Sequence, residues 1–282
     1  MAKVGAHVSV AGGLVNGLIR AEELGIETIQ IFGSSPRQWR VYYPSQSSLD
    51  DYHQHQQQRL VSPVFLHAPY LINLATDNSD LWQKSVETLA GHLLIADQIK
   101  AFGLVFHVGS ASGSKAVVLQ RAARGMIEVL KRVPGQTQLI VENSAGGGQK
   151  IGVSPAELGF LLRATDSDRV GACLDTAHAF ESGLLHPHPK RIDRYLADWD
   201  DKMGLQHLRL LHANDSVTDF NSGSDRHANI GQGQIGLEGF RALACQDSLN
   251  KLPWILEVPG FDGQGPDRKN VELLRTCFDK NP

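Results

Sequence analysis

The chain has 282 residues, of which 41% are hydrophobic and 20% charged, and it carries a formal net charge of −3. This balance is ordinary for a globular protein with a large core, and the negative charge argues against a nucleic-acid-binding protein, since such proteins are usually basic. We expect no signal peptide, because Lys3 precedes a strand-like VGAHV segment, and no membrane-spanning segment, because no apolar run is long enough. The three cysteines are far apart, so we expect no disulfide framework.

Short apolar or β-branched runs alternate with longer amphipathic segments along the chain, which predicts strands that alternate with helices. The predicted strands are Val4–Val8, Thr28–Phe32, Val64–His67, Leu104–His107, Gln138–Glu142, Val170–Asp175, His207–His212 and Trp254–Glu257. The predicted helices are Leu14–Leu24, Ser47–Leu60, Asp80–Ala101, Ala116–Val133, Pro155–Ala164, Arg191–Met203, Leu237–Ala244 and Arg268–Phe278.

This alternation predicts an α/β fold with a parallel sheet and right-handed crossovers. The strands are apolar almost throughout, as in a sheet that is buried on both faces. Eight strands favour a closed (β/α)8 TIM barrel, with an open doubly wound sheet as the alternative. No linker or change of composition divides the chain, so we expect a single domain over residues 1–282.

The last six predicted strands each end in, or are followed closely by, a His, Asp or Glu side chain. These side chains are His67, His107, Glu142, Asp175, His178, His212, Asp225, His227 and Glu257. In a parallel barrel the carboxyl ends of all strands open onto one face, where active sites are built. A charged side chain at the end of an apolar strand is costly unless it is paired, hydrated or bound to metal. The sequence therefore predicts a metal cluster at the mouth of the barrel.

The five imidazoles and four carboxylates of this set indicate which metals would bind. They favour zinc, iron or manganese over magnesium and calcium, which prefer oxygen ligands alone. A catalytic zinc ion takes about three protein ligands, so nine side chains would serve about three ions. A carboxylate that bridges two ions would place them ~3.5–4 Å apart, an arrangement that suits phosphodiester hydrolysis.

Seven segments also resemble those of a known enzyme family. They are GAHVS (Gly5–Ser9), RQW (Arg37–Trp39), HxxYLINLA (His67–Ala75), ENxAG (Glu142–Gly146), DTxHAF (Asp175–Phe180), DRHANIGQGQIG (Asp225–Gly236) and ILE (Ile255–Glu257). Each segment alone is weak, but together and in this order they resemble the endonuclease IV family of apurinic/apyrimidinic (AP) endonucleases. The resemblance extends from Val4 to about Glu257.

The resemblance implies a TIM-barrel AP endonuclease domain with three zinc ions, one of which manganese or iron could replace. Such an enzyme is a hydrolase of the deoxyribonuclease IV (phage T4-like) class. It cuts duplex DNA on the 5′ side of an abasic site and leaves a 3′-hydroxyl, as base excision repair requires. The resemblance assigns His67, His107 and Glu142 to one ion, Glu142, Asp175, His212 and Glu257 to a second, and His178, Asp225 and His227 to a third.

In the same resemblance, Glu142 bridges the first two ions and Glu257 orients or deprotonates the hydroxide between them, which makes these two the catalytic carboxylates. The third ion would stabilise charge on the leaving 3′-oxygen. His7, at the end of the first strand, is expected to be a hydrogen-bond partner of the ligands and not a ligand.

The resemblance also predicts the side chains that contact DNA. Arg37, Tyr70 and Leu71, in the loops after the second and third strands, would enter the base stack through the minor groove when the abasic nucleotide is extruded. The alternative is that Tyr70 and Leu71 only pack the mouth of the barrel. Further contacts are expected from Gln38, Trp39, Asn73, Ser110 and Arg226.

Two other functions are compatible with such a barrel. A metal-dependent sugar or sugar-phosphate isomerase generally uses two ions and fewer imidazoles, so the third ligand set and the predicted wedge argue against it. A protein that stores zinc without catalysis would need neither Glu142 nor Glu257. We expect a protein that acts on damaged double-stranded DNA with abasic sites and binds no membrane. The three separate cysteines favour a cytoplasmic protein, and the lack of an exposed apolar repeat favours a monomer.

Overall fold

The computed structural model describes residues 2–279, and within this range eight parallel strands close into a barrel. The barrel strands are β1 (Val4–His7), β2 (Thr28–Phe32), β3 (Val64–His67), β4 (Gly103–Phe106), β5 (Gln138–Glu142), β6 (Val170–Asp175), β7 (Leu208–His212) and β10 (Trp254–Leu256). Their order around the barrel is β1-β10-β7-β6-β5-β4-β3-β2. A short antiparallel pair, β8 (Asp215–Ser216) and β9 (His227–Ala228), lies in the connection from β7 to β10. The predicted closed TIM barrel is confirmed, and the alternative of an open sheet is wrong.

Helices connect the barrel strands. They are α1 (Val15–Leu24), α2 (Gln46–Arg59), α3 (Ser79–Gln98), α4 (Lys115–Arg132), α5 (Pro155–Thr165), α6 (Thr176–Glu181), α7 (Pro189–Lys202), α8 (Gly236–Ala244) and α9 (Arg268–Thr276). Several helices begin after a capping side chain that accepts a hydrogen bond from the backbone N–H three residues later, namely Ser45, Asn78, Ser154, Asp175 and Asp267. Among the described helices, none has the length and apolar character that crossing a bilayer requires.

The predicted elements are all present, with ends that differ by up to three residues. The largest difference is at α3, which ends at Gln98 and not at Ala101. The sequence did not predict α6, β8 or β9, because elements of two to six residues are too short to show a period of apolar side chains. Two of these elements carry predicted ligands, since His178 lies in α6 and His227 in β9.

The interior of the barrel is filled by one apolar side chain from each of six strands. This floor layer consists of Phe65, Val105, Ile140, Cys173, Leu210 and Ile255, all fully buried. Each of them lies two residues before a predicted ligand at a strand end. Because side chains alternate between the two faces of a strand, a residue two positions later points toward the same side. The floor layer therefore lies directly beneath the mouth, and six ligands are aimed at a common region above it.

His92, in α3, is a fully buried histidine, and neither of its ring nitrogens has a hydrogen-bond partner among residues 2–279. Burial, assisted by the nearby His67, lowers the pKa of His92 to about 4 from the ordinary 6.5. Between these values the unfolded chain binds a proton that the native protein does not. The free energy of unfolding therefore falls as the pH is lowered from 6.5 to 4, by ~3 kcal/mol over the whole window.

We expect His92→Leu to flatten this part of the stability profile, because leucine has no proton to bind in either state. The measurement is the free energy of urea unfolding at several pH values between 4 and 6.5, taken with wild type and variant side by side. The exposed His188 serves as the control, since His188→Gln should keep the wild-type slope. Equal slopes for wild type and His92→Leu would contradict this account of His92.

Candidate metal centre

All nine predicted ligands lie together at the carboxyl ends of the barrel strands. Seven of them line a cavity of about 890 Å³, and these are His67, His107, Glu142, His178, Asp225, His227 and Glu257. The remaining two, Asp175 and His212, lie beneath the cavity wall and are fully buried. The mouth of the barrel is thus the place where the imidazoles and carboxylates converge, as the strand ends predicted.

The first group consists of His67, His107 and Glu142, from three neighbouring strands. Glu142 Oε2 lies 3.1 Å from His67 Nε2 and 3.4 Å from His107 Nε2. Candidate ligand atoms of the three residues all lie within 4.8 Å of one another. They are close enough to share one ion.

The second group consists of Glu142, Asp175, His212 and Glu257. His212 Nδ1 lies 3.1 Å from Glu142 Oε1, 3.0 Å from Glu257 Oε2 and 3.9 Å from Asp175 Oδ2. Glu142 therefore turns one oxygen toward each of the first two groups. This is the geometry of a carboxylate that bridges two ions.

The third group combines side chains from β6, α6 and the β8–β9 connection. Asp175, His178 and His227 have candidate ligand atoms within 4.8 Å of one another. Asp225 Oδ1 lies 3.2 Å from His178 Nε2 and 3.7 Å from His227 Nε2. The predicted set of His178, Asp225 and His227 comes together, and the structure adds Asp175 beside it. The buried Asp175 thus faces both the second and the third group.

Four of the five imidazoles place one ring nitrogen beside an oxygen that is not a candidate ligand atom and can only accept a hydrogen bond. One of them, His178 Nδ1, also lies 3.2 Å from Glu142 Oε1. The pairs are His67 Nδ1 and Ala68 O (2.7 Å), His178 Nδ1 and Asn143 O (3.0 Å), His227 Nδ1 and Glu257 O (3.2 Å), and His212 Nε2 and Gln30 Oε1 (2.9 Å). These nitrogens carry the proton, so the other nitrogen of each ring keeps its lone pair for the carboxylate side. Proteins orient metal-binding imidazoles in this way.

Several of the atoms that face one another in the cluster have no hydrogen-bond partner. Within residues 2–279, the buried atoms without a partner include Glu142 Oε1, His178 Nε2, His212 Nδ1 and His227 Nε2. Buried lone pairs turned toward one another require positive charge between them. A donor set of imidazole nitrogens and carboxylate oxygens therefore fits zinc or a similar divalent ion.

The shifted pKa values of Glu142 and His212 also indicate that the cluster favours positive charge. Burial raises the pKa of Glu142, but the facing imidazoles, led by His107 and His212, outweigh burial and hold it well below its ordinary value. Burial lowers the pKa of His212, but Cys173, Glu257 and Glu142 raise it well above its ordinary value. The carboxylates thus favour a positive charge beside His212, and a bound cation would supply it.

A buried carboxylate holds the connection that carries Asp225 and His227. Asp215, in β8, accepts backbone hydrogen bonds of 2.9–3.3 Å from Ser216, Gly231, Gly233, Ile235 and Gly236. Gly233 cannot carry a side chain, because a Cβ there would lie 2.4 Å from the carbonyl oxygen of Ser216. The GQGQIG segment therefore wraps its N–H groups around one carboxylate, which stabilises the strand pair and places His227 in the third group.

Three polar side chains that the sequence did not single out also contact the ligands. Asn143 donates from Nδ2 to the carbonyl oxygen of Asp175 and accepts from its N–H. Asn214 donates to Asp175 Oδ2 at 2.7 Å and accepts from the N–H of Glu257 at 2.8 Å. Gln30 lies between His212 and Glu257. The sequence positions of two of these residues could have identified them, because Asn143 directly follows a predicted ligand and Gln30 is a polar residue inside an apolar strand.

Most of the predicted DNA-contacting side chains lie on the rim of the cavity. Tyr70 is 63% exposed, and together with Leu71 and Arg226 it lines the mouth. Arg37 and Gln38 are exposed in the connection after β2. These positions leave the side chains free to meet a duplex placed across the mouth.

Two of the predicted contact residues are engaged within the protein. The ring of Trp39 lies 4.9 Å from the ammonium nitrogen of Lys84 and packs against the core. The amide of Asn73 donates to the carbonyl oxygen of Ser110 and accepts from the N–H groups of Ala75, Thr76 and Ser110. Asn73 therefore braces the connections after β3 and β4, and its contact with DNA stays a prediction.

The closed barrel and the ligand cluster define the class of this protein as a TIM barrel with a candidate metal centre. Residues 18–277 match a family model described as a xylose isomerase-like TIM barrel. The chain is 36% identical over 278 residues to the "Probable endonuclease 4" of Halothermothrix orenii, covering 97% of this chain and 99% of that protein. It is also 36% identical over 279 residues to the "Probable endonuclease 4" of Chloroflexus aggregans, covering 98% of each chain.

Among solved structures, endonuclease IV from Thermus thermophilus is similar, with a TM-score of 0.86, 32% identity and coverage of 98% of each chain. The present chain belongs to the endonuclease IV family. The resemblance stated from the sequence motifs is thereby confirmed.

Proposed function

We propose that this chain is a metal-dependent AP endonuclease, which hydrolyses the phosphodiester bond on the 5′ side of an abasic site in duplex DNA. The observation that carries the proposal is the convergence of nine imidazole and carboxylate side chains at one barrel mouth, in a member of the endonuclease IV family. The product would be a 3′-hydroxyl that a polymerase can extend, as base excision repair requires. The reaction class is that of a deoxyribonuclease IV (phage T4-like) hydrolase.

The three groups would hold three divalent ions, with zinc as the metal that this donor set suits and manganese or iron as a substitute in one position. When bound, such ions activate water and neutralise the negative charge on the phosphate and on the leaving oxygen. Glu142 would hold the first two groups in a fixed relation, since each of its oxygens faces one of them.

Glu257 is the residue that we assign to the attacking water. Its Oε1 lies 2.6 Å from Gln30 Nε2 and 3.1 Å from His7 Nδ1, so that Oε2 faces the cluster. From this position the carboxylate would accept a hydrogen bond from water and then its proton. A bond forms from the water oxygen to phosphorus as the bond from phosphorus to the 3′-oxygen breaks. The leaving oxygen takes up a proton and becomes the 3′-hydroxyl.

We assign Arg37, Tyr70 and Leu71 to the wedge that fills the space left by the extruded abasic nucleotide. The position of Tyr70 and Leu71 at the rim supports this role, because a duplex that reaches the cluster must pass them. Extruding a nucleotide costs stacking energy, and that cost is least where the base is already missing. This difference would favour abasic sites over intact DNA.

The net charge of the chain is compatible with a DNA substrate once metal is bound. Three Zn²⁺ ions would add six positive charges to the formal −3, giving +3 before any water is deprotonated. This charge would be concentrated at the mouth, where a phosphate must lie. Protein stripped of metal by a chelator should therefore bind DNA poorly.

The experiment that tests this proposal is strand cleavage of a duplex with one tetrahydrofuran residue, measured together with zinc per chain. We expect wild-type protein with about three zinc ions per chain to cut 5′ to the tetrahydrofuran. In Glu257→Gln the rate should fall about 10²–10⁴-fold, the usual contribution of a general base. The exposed Glu272 in α9 is the control, and Glu272→Gln should cleave as wild type does.

The same assay tests the wedge. Tyr70→Ala and Arg37→Ala should raise KM for the abasic duplex about tenfold, as expected for ~1.4 kcal/mol of lost contact, while zinc per chain stays unchanged. Wild-type KM in Tyr70→Ala would assign Tyr70 to packing alone, and wild-type KM in Arg37→Ala would remove Arg37 from the wedge. A full zinc complement without any cut would contradict the endonuclease proposal and favour the sugar isomerase alternative.

A further inference from the structure

We propose that Gln30 is a positioning residue. It determines which ring nitrogen of His212 and which carboxylate oxygen of Glu257 face the second group. The inference rests on the proposed metal centre, because His212 and Glu257 are two of the four side chains of that group. It concerns a strand, β2, to which the sequence assigned no ligand.

Gln30 is fully buried in the middle of β2. In the barrel it is paired with His7 of β1 on one side and with Phe65 of β3 on the other. Its side chain crosses the barrel interior and contacts residues from β1, β7 and the end of β10. A polar side chain in this place must find partners, since an unpaired amide in the core is costly.

The charge of Glu257 determines how the amide of Gln30 is oriented. Gln30 Nε2 lies 2.6 Å from Glu257 Oε1, and an ionised carboxylate can only accept hydrogen bonds. The NH2 end of the amide must therefore face Glu257, because the opposite orientation would bring the carbonyl oxygen against the carboxylate. His7 Nδ1 lies 3.1 Å from the same Glu257 oxygen. Glu257 Oε1 is thus occupied, and Oε2 remains for the second group.

The oriented amide in turn determines the tautomer of His212. Gln30 Oε1 lies 2.9 Å from His212 Nε2, and a carbonyl oxygen accepts only, so the proton of the neutral ring is on Nε2. The lone pair is then on Nδ1, which lies 3.1 Å from Glu142 Oε1 and 3.0 Å from Glu257 Oε2. The amide of Gln30 therefore orients two candidate ligands of the same group, His212 and Glu257.

Two substitutions at Gln30 separate its contact with His212 from its contacts with Glu257 and His7. Gln30→Met keeps the length of the side chain and removes all three. Gln30→Glu keeps an oxygen that accepts from His212 Nε2 and, as a carboxylate, replaces the donor to Glu257 and His7. The control is Thr28→Val, which removes a buried hydrogen bond from the same strand to the carbonyl oxygen of Pro63, away from the mouth.

The readouts are zinc affinity, by competition with a chromophoric chelator, and the tautomer of His212 in zinc-loaded protein, from long-range ¹⁵N–¹H NMR correlations. For Gln30→Met we expect one of the three zinc ions to bind about 10–100-fold more weakly and His212 to lose its single Nε2–H tautomer. Gln30→Glu should keep the tautomer and still weaken one ion. Thr28→Val should match wild type in both measurements.

Wild-type zinc affinity in Gln30→Met, or an unchanged His212 tautomer, would overturn the inference. If Gln30→Met does not fold, Gln30→Glu provides the test. Unchanged affinity of this variant for all three zinc ions would equally overturn the inference. Neither readout involves DNA. A wild-type protein that binds zinc but cuts no DNA would therefore refute the proposed function and leave the role of Gln30 standing.

Discussion

Glu142→Ala is expected to abolish strand cleavage, with a loss of about 10⁴-fold or more, which corresponds to at least ~5 kcal/mol of transition-state stabilisation. The reason is that Glu142 is the one side chain with an oxygen in each of the first two groups. Its removal leaves His67, His107 and His212 without the carboxylate that they face. Zinc per chain should fall from about three to about one, because only the third group keeps its full set of side chains.

The measurement is single-turnover cleavage of the abasic duplex together with zinc per chain and a thermal unfolding curve. Glu87→Ala provides the control, since Glu87 is an exposed residue of α3 and its loss should change neither activity nor zinc. A folded Glu142→Ala protein that keeps three zinc ions and cleaves within tenfold of wild type would show that Glu142 is not the bridging carboxylate.

Asp215→Ala is expected to lower the free energy of unfolding by about 3–5 kcal/mol, a loss typical of breaking a buried network of charge-assisted hydrogen bonds. The fully buried carboxylate accepts from five backbone N–H groups, and four of these belong to Gly231–Gly236. Alanine would leave these donors without an acceptor. The loss is smaller than five separate penalties, because the loop can move toward water.

Urea unfolding of metal-free protein would measure this change without a contribution from bound zinc. The exposed Asp219 in the same connection is a matched control, and Asp219→Ala should lie within about 0.5 kcal/mol of wild type. Zinc-loaded Asp215→Ala should in addition lack the ion of the third group, because Asp225 and His227 lose their support. A decrease of less than about 1 kcal/mol would mean that the loop is held by other contacts.

The sequence was sufficient to predict the barrel and the convergence of its ligands because both follow from strand periodicity. His67, Glu142, Asp175 and His212 are the last residues of their strands, and strand ends of a parallel barrel share one face. The end of β4 differed by one residue, so that His107 follows the strand, yet its side chain still faces Glu142 at 3.4 Å. An error of one residue in a strand end does not change the face of the barrel on which the ligand lies.

The grouping of the ligands and their supporting contacts could not be predicted in the same way. That Asp175 faces both His212 and His227 depends on how β6, β7 and β9 lie in space, at separations of more than thirty residues. The contacts of Gln30 span up to 227 residues of sequence, and no local pattern encodes such a distance. The role of Asp215 is hidden likewise, because its partners are backbone N–H groups that any sequence possesses.

The floor layer of the barrel has a consequence for how this centre can change over time. Phe65, Ile140, Cys173 and Ile255 each share a strand face with the ligand two positions later. A slip of one residue in any of these strands would withdraw a ligand and its supporting apolar side chain together. Insertions in mouth connections that carry none of the nine side chains would not move a strand in this way. Those connections are therefore free to diverge, whereas the direction of the strand-end side chains depends on the pairing of the barrel strands.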